Sequence, residues 1–166
     1  MPAASGGGKS TLAGYLVLRR GYELLSDEVG AFDLRLGKLL PFARSIGLKP
    51  ASVALLGLEV DPASGQSRTA FFPAGPLGLR TAAPTAPVLI VAPRFEAGRT
   101  ITIERLPSSA ACAELLAQSR IRAAGPAGLD AVLRFAREVP CYRMTYGHLE
   151  AAADGLEVLW RAHFAD

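Results

Sequence analysis

Apolar positions along this chain follow two periods. From Ser10 to about Arg20, Leu12, Tyr15, Leu16 and Leu18 recur at the three- and four-residue spacings of one helical face, and Gly21 is placed to cap that helix. Tyr22–Ser26 then reads as a short strand ending at Asp27-Glu28. Residues 29–42 read as a hairpin: Ala31–Leu34, a turn around Gly37-Lys38, then Leu39–Phe42. The stretch 43–87 is rich in Pro, Gly and Ser and predicts irregular loops, with short strands at the apolar runs Val53–Leu58 and Ala70–Phe72. Val88–Ala92 and Thr100–Leu106 are strand-like. Beyond them the helical period takes over. Ser108 caps a helix to about Ser119, Gly128–Val139 forms another ended by Pro140, and Cys141–Tyr146 is a short extended piece. Leu149–Phe164 is a last helix, interrupted near Gly155, with Trp160 and Phe164 on its packed face. The pattern predicts one α/β domain, with a sheet region over 1–106 and a helical part over 107–166.

Composition narrows the class. Half of the 166 residues are apolar and 20% are charged, enough to build a core and too little charge for a disordered chain. Cys112 and Cys141 are the only cysteines and lack CxxC spacing, so they read as reduced, small apolar core residues. His148 and His163 are the only histidines, thin material for a His-based metal site or a Ser-His-Asp triad. The formal net charge of +3 is dispersed, with no basic stretch interleaved by aromatics, so nucleic acid is not an expected partner. Apolar runs such as Val88–Ala92 are too short to span a bilayer, and no secretory leader is visible. The expected location is cytoplasmic, with no membrane partner. Homo-oligomerisation is left open.

The strongest chemical signal is Ser5-Gly6-Gly7-Gly8-Lys9-Ser10-Thr11 at the start of the first helix. Glycines let successive backbone N–H groups turn onto a phosphate, and the helix N-terminus adds unpaired N–H groups and the positive end of its dipole. Lys9 can reach outer phosphates, and the Ser10 hydroxyl can ligate Mg2+. This is the back half of a P-loop. The full pattern would place Gly at Ala3 and a strand ahead of the loop, where only Met1-Pro2 stand, so the expectation is an N-terminally truncated domain lacking its first strand. Asp27 and Glu28, at the end of the next strand, supply carboxylates suited to organising Mg2+ and to taking the proton of a hydroxyl nucleophile. Arg44 and Lys49 flank Gly47 and are candidates to neutralise a transferring phosphoryl group or hold its acceptor. Arg94 reads as a surface cation. In Cys141–Tyr146 no chemistry stands at useful spacing, and its aromatics read as core or hinge packing.

Gly-Gly-Gly-Lys-Ser-Thr-Leu, a helix ending Arg-Arg-Gly, and Tyr-Glu-Leu-Leu-Ser-Asp-Glu-Val together resemble the core of the HPr kinase/phosphorylase-like proteins. Residues 41–49 and 139–146 resemble the branch called HPr-kinase-related proteins. The resemblance implies a P-loop kinase core like that of phosphoenolpyruvate carboxykinase, with a mixed sheet and C-terminal helices. It implies ATP- and Mg2+-dependent phosphorylation of a serine hydroxyl on a protein or peptide. Under it, Lys9 and Ser10 hold phosphate and Mg2+, Asp27 is the candidate base, Glu28 takes the second acidic position, and Arg44 and Lys49 match the related branch. The segment by which HPr kinases grip HPr has no clear counterpart, which argues against HPr as the acceptor. Two other readings are weighed: a nucleotide- or peptide-binding remnant without turnover, and an ABC-type ATPase fragment. Against the latter, no LSGGQ-like signature follows and the acidic pair comes too early.

Overall fold

The computed structural model describes residues 1–3, 6–27, 29–42, 45–59, 69–73, 75, 83–119 and 125–164. It is an α/β fold with a mixed sheet and helices. The chain divides into two compact units that interleave along the sequence. The first takes Met1–Lys9, Leu34–Lys38 and Ala86–Asp166, and the second takes Ser10–Asp33 and Leu39–Thr85.

In the second unit the expected opening helix is α1 (Lys9–Arg20), which buries Leu12, Ala13, Gly14 and Leu16. Gly21, at φ +71°, turns the chain out of the helix, and the Tyr22 N–H reaches back to the Leu16 carbonyl at 3.3 Å. The strand expected at Tyr22–Ser26 does not form. Only Leu24 takes part in an isolated bridge, and Leu25 accepts one bond from the Phe42 N–H at 2.7 Å. Apolar residues make a strand only where a partner offers a continuous ladder, and this segment has a single rung there. The hairpin is present as β1 (Ala31–Asp33) and β2 (Lys38–Leu40), with Gly37 in the left-handed region at φ +65°.

Beyond it, β3 (Ser45–Leu48) and β4 (Ala70–Pro73) pair antiparallel with Ile46 opposite Phe72. The Ala70–Phe72 expectation is met. β3 lies in the stretch whose Pro, Gly and Ser content predicts loop, yet its burial alternates, with Ile46 and Leu48 inward. The Val53–Leu58 run is a correction, because α2 (Pro50–Leu56) occupies it. Pro50 sits at the start, where its missing N–H costs nothing, and Gly57 closes the helix at φ +66°. Against α2 lies α1. A Cβ on Gly14 would come within 3.0 Å of Leu56 Cδ1, and the Arg19 guanidinium donates to the Leu56 carbonyl at 3.1 Å.

The first unit is built on a three-stranded sheet of order β5-β7-β6. β5 (Ile90–Phe95) runs parallel to β7 (Cys141–Tyr146), from Ile90 opposite Cys141 to Phe95 opposite Tyr146. β6 (Thr102–Arg105) runs antiparallel to β7 on its other side. A parallel pair needs a long crossover, and this one carries β6, α3 (Ser108–Gln118) and α4 (Gly125–Glu138). Ile90, Leu106, Ala111, Ala136 and Cys141 form a buried cluster beneath them. Ser108 is the first helical residue rather than the cap. Pro107 holds the cap position with extended backbone, and no side chain caps the helix.

α5 (Leu149–Phe164) packs on β7 and is not interrupted at Gly155. Gly155 instead lets the helix approach closely: a Cβ there would stand 2.7 Å from Ile101 Cδ1 and 2.9 Å from Ile103 Cδ1. Trp160 and Phe164, expected on the packed face, are 48% and 40% exposed and lean on each other at 4.7 Å between ring centroids. The inward positions of α5 belong to Leu149, Ala152, Ala153, Leu156 and Leu159. No helix among the described residues is long and apolar enough to cross a membrane.

Gly147 tests this packing. A Cβ on it would meet backbone, at 2.5 Å from Arg99 N, 2.7 Å from Arg99 O and 2.9 Å from Glu96 O. Backbone cannot yield as a side-chain tip can. Gly147→Ala is expected to lower stability by about 1–3 kcal/mol, read by denaturant unfolding. Gly21→Ala, at a left-handed position with nothing within 4 Å of the new Cβ, is expected to show only the smaller conformational cost.

Candidate functional site

Two of the three successive glycines adopt conformations that favour glycine, Gly6 at φ +87° and Gly8 at φ +84°. The loop they form rests on the carboxyl ends of the parallel strands β5 and β7. The Phe95 N–H donates to the Gly7 carbonyl at 3.2 Å, and the Tyr146 O–H donates to the Gly8 carbonyl at 3.2 Å. Phe95 and Tyr146 are opposite each other in register and meet edge to face, with ring centroids 5.7 Å apart. Open parallel sheets bind ligands outside the carboxyl ends of their strands, and the glycine loop occupies that place in the first unit.

Tyr146 is fully buried, and burial pushes its phenol up to about 12, so the hydroxyl stays a donor throughout the neutral range. A Cβ on Gly8 would run into the Tyr146 hydroxyl and stand 3.0 Å from Phe95 Cβ. At Gly6 a Cβ would meet nothing within 4 Å. The loop is therefore closed on the strand side at Gly8 and open at Gly6.

Lys9 is the first residue of α1, and Ser10 and Thr11 follow in its first turn, where helical N–H groups lack intrahelical acceptors. Ser10 and Thr11 belong to the second unit, and the Thr11 hydroxyl lies 2.6 Å from that of Ser52 in α2. Asp27, also in the second unit, is buried at 9% exposure, and its Oδ2 accepts the Gly47 N–H of β3 at 3.2 Å. The expected acidic residue thus braces a strand backbone. Lys49 is exposed at the N-cap of α2. Ser5, Glu28 and Arg44 lie outside the described residues. Arg94 is a surface residue as read, 68% exposed and paired with Glu96 at 3.1 Å.

Within the first unit the loop offers the amides of Gly6–Gly8 and the Lys9 ammonium, donors of the kind that suit an anion. Among the described residues no group of three or more His, Cys, Asp or Glu could hold a metal ion by itself. Cys112 and Cys141 are free thiols, Cys141 buried and its thiol pushed up by that burial and by Glu114. His163 accepts or donates across 2.7 Å to the Tyr142 hydroxyl.

Sequence reasoning missed the part played by Tyr146, which it read as packing. A buried Tyr nearly always finds a partner for its hydroxyl, and a Tyr ending a strand was the available signal. Its partner sits 138 residues away, a pairing that no local pattern carries.

The raised phenol gives a pH prediction. Its folded value of about 12 lies above the ordinary 10.0, so the folded state holds this proton more tightly. The resulting stability is fully present below pH 10 and is lost as pH rises from there through the folded value. The melting point of Tyr146→Phe is expected to fall less steeply with pH than that of wild type across that window, and the two slopes to coincide at neutral pH.

No protein-family model, no curated protein and no solved structure matches this chain.

Proposed function

We propose that this chain is an ATP-dependent phosphotransferase acting on a serine hydroxyl of a protein or peptide. The observation that carries the reading is the glycine loop, which opens α1 through Lys9 and Ser10 and is tied to the carboxyl ends of two parallel strands. The motif itself and the resemblance to HPr kinase/phosphorylase-like proteins supply the rest.

In this reading the amides of Gly6–Gly8 and the Lys9 ammonium bind the outer phosphates of ATP. The Ser10 hydroxyl is the ligand for Mg2+, with Asp27 and Glu28 as the carboxylates for it, directly or through water. Bound magnesium supplies charge neutralisation to the phosphoryl group in transfer. Asp27 is the residue assigned to accept the proton of the attacking hydroxyl, and Arg44 is the cation assigned to the transferring group. Positioning and charge neutralisation are the chief sources of acceleration in such chemistry, so the chain's task is to bind and orient.

A second reading, a nucleotide-binding module without turnover, is favoured by one observation: the Asp27 carboxylate accepts the Gly47 N–H. A side chain engaged in holding β3 has a structural role that needs no chemistry.

Lys9→Ala is expected to weaken ATP binding about ten- to a hundredfold, the effect of losing one charge-assisted contact, measured by calorimetry. Unchanged affinity would remove the loop from the phosphate site. Asp27→Asn separates the two readings, because the amide oxygen still accepts the Gly47 N–H while the basic carboxylate is gone. The kinase reading expects the wild type to transfer phosphate to a serine peptide library, followed by mass spectrometry, and the variant to lose that transfer. The module reading expects no transfer from the wild type either.

A further inference from the structure

We infer that Tyr146 is a positioning residue for the glycine loop: its hydroxyl fixes the peptide plane whose N–H an anion would meet. This rests on the reading of the loop as a polyphosphate cradle.

The argument is geometric. A trans peptide is planar, and its C=O and N–H point in opposite directions. The Gly7 carbonyl belongs to the same peptide as the Gly8 N–H, and the Gly8 carbonyl to the same peptide as the Lys9 N–H. The Phe95 N–H holds the first carbonyl at 3.2 Å, and the Tyr146 O–H holds the second at 3.2 Å. Both carbonyls are drawn back to the strand ends, and the N–H groups of Gly8 and Lys9 are turned the other way. Without such ties glycine peptides flip readily, since glycine populates both signs of φ. A flipped plane would present a carbonyl oxygen to an anion and repel it.

The two ties differ in kind. The Phe95 donor is backbone and comes with the fold. The second depends on one side chain, at the end of the strand paired with β5. Tyr146 is suited to it: it is fully buried in the first unit, its ring is braced edge to face by Phe95, and its hydroxyl reaches Gly8, where a Cβ would run into it. Desolvation keeps the phenol protonated, so the donor is not lost at neutral pH.

The test uses the full chain and tripolyphosphate without metal as probe, with affinity measured by calorimetry well below each melting midpoint. Tyr146→Phe keeps the ring and removes the donor, and is expected to weaken binding about five- to tenfold. Amide 15N–1H spectra add a second readout: tripolyphosphate shifts the Gly8 and Lys9 signals in wild type, and those shifts shrink in Tyr146→Phe. Tyr146→Met, which also lacks the donor, serves the same purpose where Tyr146→Phe does not fold. Gly155→Ala, whose new Cβ presses on the side-chain tips of Ile101 and Ile103 rather than on the loop, is expected to lower the melting point without changing affinity. Wild-type affinity in Tyr146→Phe would overturn the inference while leaving the cradle standing. Equal losses in Gly155→Ala and Tyr146→Phe would also overturn it, because general destabilisation would then explain them. No binding by wild type, with Lys9→Ala indistinguishable from it, would sink the cradle reading and this inference with it.

Discussion

The parallel pairing of β5 with β7 is the constraint on which the first unit depends. Two strands running the same way need a crossover, and β6, α3 and α4 are that crossover, so the element that closes the sheet also supplies the helices that cover it. The same pairing brings two carboxyl ends out side by side. Phe95 and Tyr146 are neighbours because they are register partners, and the carbonyls of Gly7 and Gly8 accept from their N–H and O–H there. The interior of the sheet and the posture of the loop therefore follow from one alignment.

In the second unit the corresponding part is played by small residues and short polar contacts. Gly14 admits Leu56 against α1, the Thr11 and Ser52 hydroxyls hydrogen-bond across 2.6 Å, and Asp27 accepts from the backbone of β3. Each joins segments far apart in sequence at little cost in volume. Buried polar groups are tolerated when they are paired, and Asp27 meets that condition through Gly47.

The elements that were legible in the sequence are those whose cause is local. α1 has its period and Gly21, α4 has Pro140 beyond its end, and the hairpin has Gly37. The Val53–Leu58 run was misread because a short apolar stretch does not distinguish strand from helix, although Pro50 and Gly57 bracketed it as a helix. Tyr22–Ser26 was misread for the opposite reason: its residues suit a strand, and strand formation is decided by a partner elsewhere. Of the candidate site, the turn at Gly6–Gly8 was legible because left-handed backbone at Gly6 and Gly8 is a local property of glycine. The support from Tyr146 was not, because contact between residues 8 and 146 is a property of the fold. Trp160 and Phe164 show the limit of periodicity on α5, where small and aliphatic residues took the inward face and left the aromatics outside.

Gly155 has a consequence for α5 as a whole. A glycine inside a helix costs about 1 kcal/mol of helix propensity, yet here it receives the tips of Ile101 and Ile103. A notch matched to two side-chain ends is not repeated elsewhere on the cylinder. Rotating the helix by one residue, or sliding it by one turn, would bring a bulkier residue over those isoleucines. The missing side chain therefore acts as an index mark, selecting a single azimuth and a single axial setting for the terminal helix.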